Sequence, residues 1–341
     1  MQNTRILALI SLAAVPFAAS AADLGLAKNF NAFVFNNYSA TSDSEGSVAV
    51  GGNFTGSQNN AMHQFPGTLG TATNIGLYVG GTYNASVNGN AGANVYLANK
   101  TGGNVNNSTL ITQNAGNTAL FNSMSASFGT TTSKLKSQSL QINTLAQGAG
   151  VVNVAGIDYS DQNHAKLNGV DLGTQNNLKF PVQSFSNIGT FGGTSVYVFN
   201  ITDAGYAQLT AHNPILEFTG LDATHTLLLN FTGTNVNFTP QIQTNSSNQY
   251  TLFNFANATA VHTPNTIFTG SILAPLATVT QGSGDIQGNL IAKNFIQGNE
   301  LHWDAGNGVF HGWVPTAAVP EPGTWAALGL GAAALLRRRR K

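Results

Sequence analysis

The sequence predicts a mainly β protein: an irregular, parallel, right-handed β-solenoid with one long flanking α-helix, with a β-sandwich as the alternative. Three observations carry this. Short runs of β-branched and aromatic residues end in Gly or Asn turns, at loose spacings of roughly 20 to 30 residues. Leu273 and Ile291, in two similar Ile/Leu/Ala cores, lie 18 residues apart across a Gly-rich link, as successive coils of a solenoid do. One stretch alone, about 118–146, places Phe121, Met124, Phe128, Leu135, Ile142 and Leu145 near one face at helical spacing.

In chain order, residues 1–22 read as a secretory signal peptide. Arg5 supplies the positive start, Ile6 to Phe17 the apolar run, and Ala19-Ser20-Ala21 the small-residue site, with cleavage expected after Ala21 or Ala22. The ectodomain then runs over residues 23–318. Val48 and Val50 alternate with small residues as a short strand, and Gly51-Gly52 permits a tight turn or a close backbone approach. Similar units follow at 76–84 and 93–99. The helical stretch carries Thr130-Thr131-Thr132 in its middle, which weakens it there and leaves two shorter helices as an alternative to the one long helix, packed on the β core. Strand-like runs resume at 194–201, 214–219, 226–231, 235–239 and 249–255, and then at 268–275 and 284–293.

The formal charge of the chain is zero, with 13 basic and 13 acidic residues. Arg5 lies in the signal, and residues 319–341 carry five bases and Glu321. The ectodomain keeps seven lysines, no arginine and twelve acids, a formal charge of −5. That balance excludes a nucleic-acid partner. There is no cysteine, which excludes disulfides, thiolate chemistry and Cys-ligated metals.

Residues 319–341 form a tripartite tail. Pro320-Glu321-Pro322 fixes an extended segment, a short apolar run from Thr324 to Leu336 follows, and Arg337, Arg338, Arg339, Arg340 and Lys341 close it. The basic block resists translocation, and the apolar run is shorter than a spanning helix wants, so it suits a temporary transmembrane stop. This tail resembles the PEP-CTERM sorting signal of Gram-negative bacteria that export polysaccharide. The resemblance implies recognition at Pro320-Glu321-Pro322 by an exosortase, after export through the Sec translocon, and removal of the tail.

A second resemblance covers most of 23–314. Ser42-Asp43-Ser44-Glu45-Gly46 with Val48-Ala49-Val50-Gly51-Gly52-Asn53 is similar to the opening motif of the choice-of-anchor A family. Thr251-Leu252-Phe253-Asn254-Phe255 is similar to its late strand. Ser271-Ile272-Leu273-Ala274-Pro275, Gly288-Asn289-Leu290-Ile291-Ala292 and Glu300-Leu301-His302 are similar to its close. That implies an exported surface module carrying one of several interchangeable anchors. The closing motif also looks like the coils of bacterial ice-binding β-solenoids, which pack a long helix alongside.

Candidate chemistry is sparse. Glu300, His302 and Asp304 alternate, so a strand would point all three to one face, with His311 close by in sequence, as a divalent metal set. Trp303 on the other face reads as ordinary strand packing. Asp43 and Glu45 also alternate and suit Ca²⁺ with loop carbonyls, or an Asx turn. His63, His164, His212, His225 and His262 have no acid at a telling spacing and read as surface or core histidines. No phosphate loop and no nucleophile elbow is present. No cofactor is expected, and no catalysis.

The reading is therefore an exported, surface-tethered structural or adhesive protein of the envelope or biofilm matrix. Its Asn, Gln and Thr rows would contact exopolysaccharide or a neighbouring cell. A polysaccharide lyase or hydrolase is the alternative. An ice- or crystal-surface binder is a further one, which would need regular Thr rows, whereas Thr71-Ala72-Thr73 stands alone in the sequence.

Overall fold

A computed structural model describes residues 23–58, 62–64, 66–303 and 308–316. The signal peptide with Ala21 and Ala22, the tail with Pro320, Glu321, Pro322 and Arg337 to Arg340, and Asp304 lie outside the described residues. Among the described residues no helix is long and apolar enough to cross a membrane.

The chain winds as a parallel solenoid with three sheet faces. On the first, strands stack in the spatial order 152–153, 194–201, 225–231, 251–254, 271–280, 290–296, 32–34, 48–50, 72–88, 94–106 and 109–112, every neighbouring pair parallel. Leu273 pairs with Ile291 as their spacing suggests. Parallel coils overturn the sandwich alternative, whose sheets are antiparallel. Antiparallel pairing is confined to short hairpins such as 166–167 with 170–171.

The stacking order is not the chain order. The first coil sits between the last and the second: Phe33 pairs with Ile291 on one side and Ala49 on the other. The chain therefore reaches one end of the stack at residue 112 and must return to the other end to continue at 152. Helix α1, Thr118–Leu145, makes that journey. Its 28 residues span about 42 Å, against about 48 Å for a stack of these strands at ~4.8 Å per step.

Helix α1 runs unbroken through Thr130 to Thr132 as the one long helix, and the alternative of two shorter helices falls away. Thr130, Thr131 and Ser133 each donate their hydroxyl to the carbonyl four residues back, at 2.9 to 3.0 Å, so these side chains add no competing partner outside the helix. The apolar face then holds it down. Phe121, Met124, Phe128, Leu135 and Ile142 are buried against Phe33, Ala49, Tyr78, Tyr96, Leu252 and Ile291, with Phe128 stacked on Phe33 at 4.4 Å. A buried amide ladder also ties helix to coils. Asn254 donates to Asn230 (2.9 Å) and Asn230 to Asn200 (3.1 Å), while Ser139 of α1 donates to Asn254 at 2.6 Å.

A second helix, α2 (Asp203–His212), was not foreseen. Thr202 caps it by accepting from the Gly205 N–H, and Asn213 ends it in the left-handed conformation (φ 42°).

The second face stacks 235–237, 260–262, the end of 271–280, the end of 290–296, 38–40, 54–58, 83–88 and 99–106. Gly51 and Gly52 form the corner between first and second faces. A Cβ on Gly51 would lie 2.4 Å from the Phe35 carbonyl oxygen and 2.6 Å from the Phe128 ring, so the close approach read from the sequence is real. The third face stacks 177–181, 215–219 and 241–242, then 268–269, 286–287 and 301–302. Between the faces lies one continuous core, with Phe54, Tyr83, Phe231, Phe253, Phe268 and Phe295 fully buried. Phe310 to Val314 return to the first face, where the Trp313 ring stacks on Phe191 at 4.7 Å and the Trp313 backbone N–H donates to Thr226 Oγ1 at 2.7 Å.

Candidate functional site

Two surfaces carry ordered polar groups. The first is the second sheet face, which no helix among the described residues covers. Its inward positions are Val261, Val279, Phe295, Tyr38, Phe54 and Tyr83, all buried. Alternation then forces their neighbours outward. One outward rank is Thr278, Asn294, Asn37, Asn53, Thr82 and Asn99, and its side chains are locked in series. Asn294 Nδ2 donates to Thr278 Oγ1 at 3.1 Å. Asn294 Oδ1 accepts from the Asn37 N–H at 3.2 Å, Asn37 Oδ1 from the Asn53 N–H at 3.1 Å, and Asn53 Oδ1 from the Thr82 N–H at 3.0 Å. The next rank is His262, Thr280, Ile296, Ser39, Thr55 and Asn84 in register. Neither rank contains Lys, Arg, Asp or Glu. A shallow groove of about 430 Å³ runs between them over Asn37, Ser39, Asn53, Thr55, Asn294 and Ile296. The ranks were not drawn in the sequence, because each coil supplies one residue to a rank and the step from Asn37 to Asn294 crosses 257 residues; Thr71-Ala72-Thr73 is not part of them.

The second surface is on the third face, at the seam between the first and last coils. Here the structure joins residues that the sequence presented separately. Ile286 pairs with Leu301, and Leu301 bridges to Ser44. That places Glu45, Asp285, Glu300 and His302 together, all half-buried. His302 Nδ1 lies 3.0 Å from Glu45 Oε1, and Nε2 lies 3.2 Å from Glu300 Oε2 and 3.4 Å from Asp285 Oδ2. The Trp303 N–H donates to Glu45 Oε2 at 3.0 Å and fixes that carboxylate.

Glu300 and His302 share a face as their alternation suggested, while Leu301 and Trp303 are buried on the other side. Asp285 was missed; it joins through strand pairing alone. His311 sits apart, its N–H donating to the Gln249 carbonyl. Asp43 and Glu45 both meet protein groups here. The Asp43 carbonyl already accepts from the Leu301 N–H (3.0 Å) and Gln297 Nε2 (2.7 Å), and the Glu45 carboxylate faces His302.

Two histidines read as unpaired do have acids. His164 Nδ1 lies 2.7 Å from Asp171, and His225 Nδ1 lies 2.7 Å from Asp222. Hydrogen bonds from the Thr224 hydroxyl and N–H, with His225 beside them, push the Asp222 carboxyl down to about 2. The N–H of Gly173, and then His164, lower Asp171. Both acids are exposed, and neither pair lines the two surfaces above.

Residues 318–341 match the PEP-CTERM protein-sorting motif, so the tail is a sorting signal for export to the envelope. Residues 23–303 match the family described as "Putative Ice-binding-like adhesive domain". Among solved structures, the chain is similar to the DUF3494 domain of an ice-binding protein from Shewanella frigidimarina, with 14% identity over 83% of this chain and 98% of that one and a TM-score of 0.35. It is also similar to a glycosylated ice-binding protein from an Arctic yeast, with 12% identity over 83% and 93% of the two chains and a TM-score of 0.30. No curated protein matches. The match over 23–303 spans most of the chain, and the protein belongs to the ice-binding-like adhesive domain family.

Proposed function

We propose that this protein is a non-enzymatic adhesive module of the cell surface or biofilm matrix, which grips an uncharged, hydroxyl-rich polymer through its uncovered polar face. The observation that carries the reading is the hydrogen-bonded Asn/Thr rank from Thr278 to Thr82. Side chains fixed by their neighbours lose little rotamer entropy on contact, so a repeated array of weak hydrogen bonds sums to adhesion. The absence of charge in the ranks favours neutral polysaccharide over phosphate or an acidic polymer, and disfavours lyase chemistry there. The chain is exported from a Gram-negative cell, held briefly in the inner membrane by residues 324–341, and cut by an exosortase at Pro320-Glu321-Pro322. The choice-of-anchor A likeness fits this, since such modules carry interchangeable anchors.

The test is co-sedimentation of the exported protein with exopolysaccharide of the producing cell, assaying the same tubes for new reducing ends. Saturable binding without new ends is expected. Thr55→Lys with Asn84→Lys should weaken binding at least tenfold and leave the melting temperature almost unchanged. New reducing ends would sink the reading. One further reading rests on the regularity of the ranks, which repeat at the strand spacing of ~4.8 Å, a match for a solid lattice such as ice. Thermal hysteresis that the same two substitutions abolish would select it.

A further inference from the structure

The cluster at the coil seam is not needed for adhesion by the polar face, and its geometry has its own consequence. Glu45 Oε1 lies 3.0 Å from His302 Nδ1, and Glu45 is itself oriented by the Trp303 N–H. A carboxylate in that place occupies Nδ1 and orients the ring, so that Nε2 is the nitrogen left to meet a further partner. Nε2 faces two carboxylate oxygens, Glu300 Oε2 at 3.2 Å and Asp285 Oδ2 at 3.4 Å. Among the described residues no Lys forms an ion pair with any of these acids. One imidazole nitrogen and two carboxylate oxygens thus converge on one point from two coils, as the donor set of a metal ion does.

The spacing suits a metal ion. Ligands about 2.0 to 2.1 Å from a tetrahedral centre lie ~3.3 Å apart, close to the two distances above, and all three ligand atoms lie within 4.8 Å of one another. One imidazole nitrogen with two carboxylates favours a zinc-type ion over calcium, which prefers six to eight oxygens. We infer that Asp285, Glu300 and His302 bind a single zinc-type divalent cation, with Glu45 as the positioning residue behind His302. Water completes the coordination at the exposed side. The ion joins the last two coils through Asp285, Glu300 and His302, and the Glu45–His302 contact passes that hold to the first coil across the seam.

The test is calorimetric titration of Zn²⁺ into the EDTA-stripped full chain at neutral pH, with melting curves alongside. One equivalent should bind per chain, the melting temperature should rise with Zn²⁺, and EDTA should reverse the rise. Asp285→Asn with Glu300→Gln should abolish both effects, and Glu45→Ala should weaken binding about 10- to 100-fold. Far-UV circular dichroism checks that the variants fold. Co²⁺ loaded into the unaltered chain gives a readout independent of any variant: visible bands of a four-coordinate nitrogen–oxygen site are expected. Absence of Zn²⁺ binding would show a proton-held ion-pair network instead and overturn the inference. So would binding unchanged in the double variant, or Ca²⁺ taken in preference to Zn²⁺.

Discussion

The helix-covered face and the polar face are built from the same strands. Strand 72–88 gives Tyr78 to the first and Asn84 and Ser86 to the second. Strand 290–296 gives Ile291 to the first and Asn294 to the second. On the covered face the outward residues are as buried as the core, with Phe33, Ala49, Leu252 and Ile291 all at 0% exposure. On the other they meet water and bond to one another. The difference lies in what each row is aimed at. An apolar row stabilises only when something covers it, and α1 does so. A row of short amides needs no cover, because each Oδ1 finds the next coil's N–H.

The contrast is broken most directly by truncation. Phe33→Ala removes a ring stacked on Phe128 and should cost about 3–5 kcal/mol in urea unfolding. Thr55→Ala, exposed on the polar face, should change stability by no more than about 0.5 kcal/mol. Equal losses would show that the polar face is also a packed interface. Amides sharpen the same comparison at a smaller scale. Asn254→Ala strands Ser139 and Asn230 in a buried ladder, and should cost about 1–3 kcal/mol. Asn53→Ala removes a bond that water replaces, and should cost about 0.5–1 kcal/mol by thermal melts.

The smallest effect lies off both faces. Asp222 has its carboxyl lowered to about 2 in the fold. A depressed acid stabilises above its unfolded value near 3.9, and that contribution fades as pH falls through about 2. Melting temperature should therefore decline over that acidic window. Asp222→Asn should flatten part of the decline while leaving the curve near neutral pH in place.

Much of the architecture was legible from local signals. The strand at 48–50, those within 76–84 and 93–99, the 273–291 coil pair and the long helix all follow from period and turn chemistry. The order of coils was not, because nothing local tells residue 33 that it will lie beside residue 291. The candidate site failed for the same reason. Glu300 with His302 is a local pattern, whereas Glu45 and Asp285 arrive by pairing across the seam. Helix α2 was hidden by Gly205, though its Thr202-Asp203 start and Asn213 stop are regular end signals.

The return of Phe310 to Val314 to the covered face has a mechanical consequence. A pull on the chain beyond Val314 meets the solenoid at Trp313, through the Phe191 ring and the Thr226 hydroxyl, and so reaches the coils at 194–201 and 225–231 first. The outward rank from Asn37 to Thr82 belongs to other coils and to another side of the molecule. The point where the chain leaves the solenoid and the polar ranks are thus separated by the solid core, and a load is carried through packed rings before it reaches the polar face.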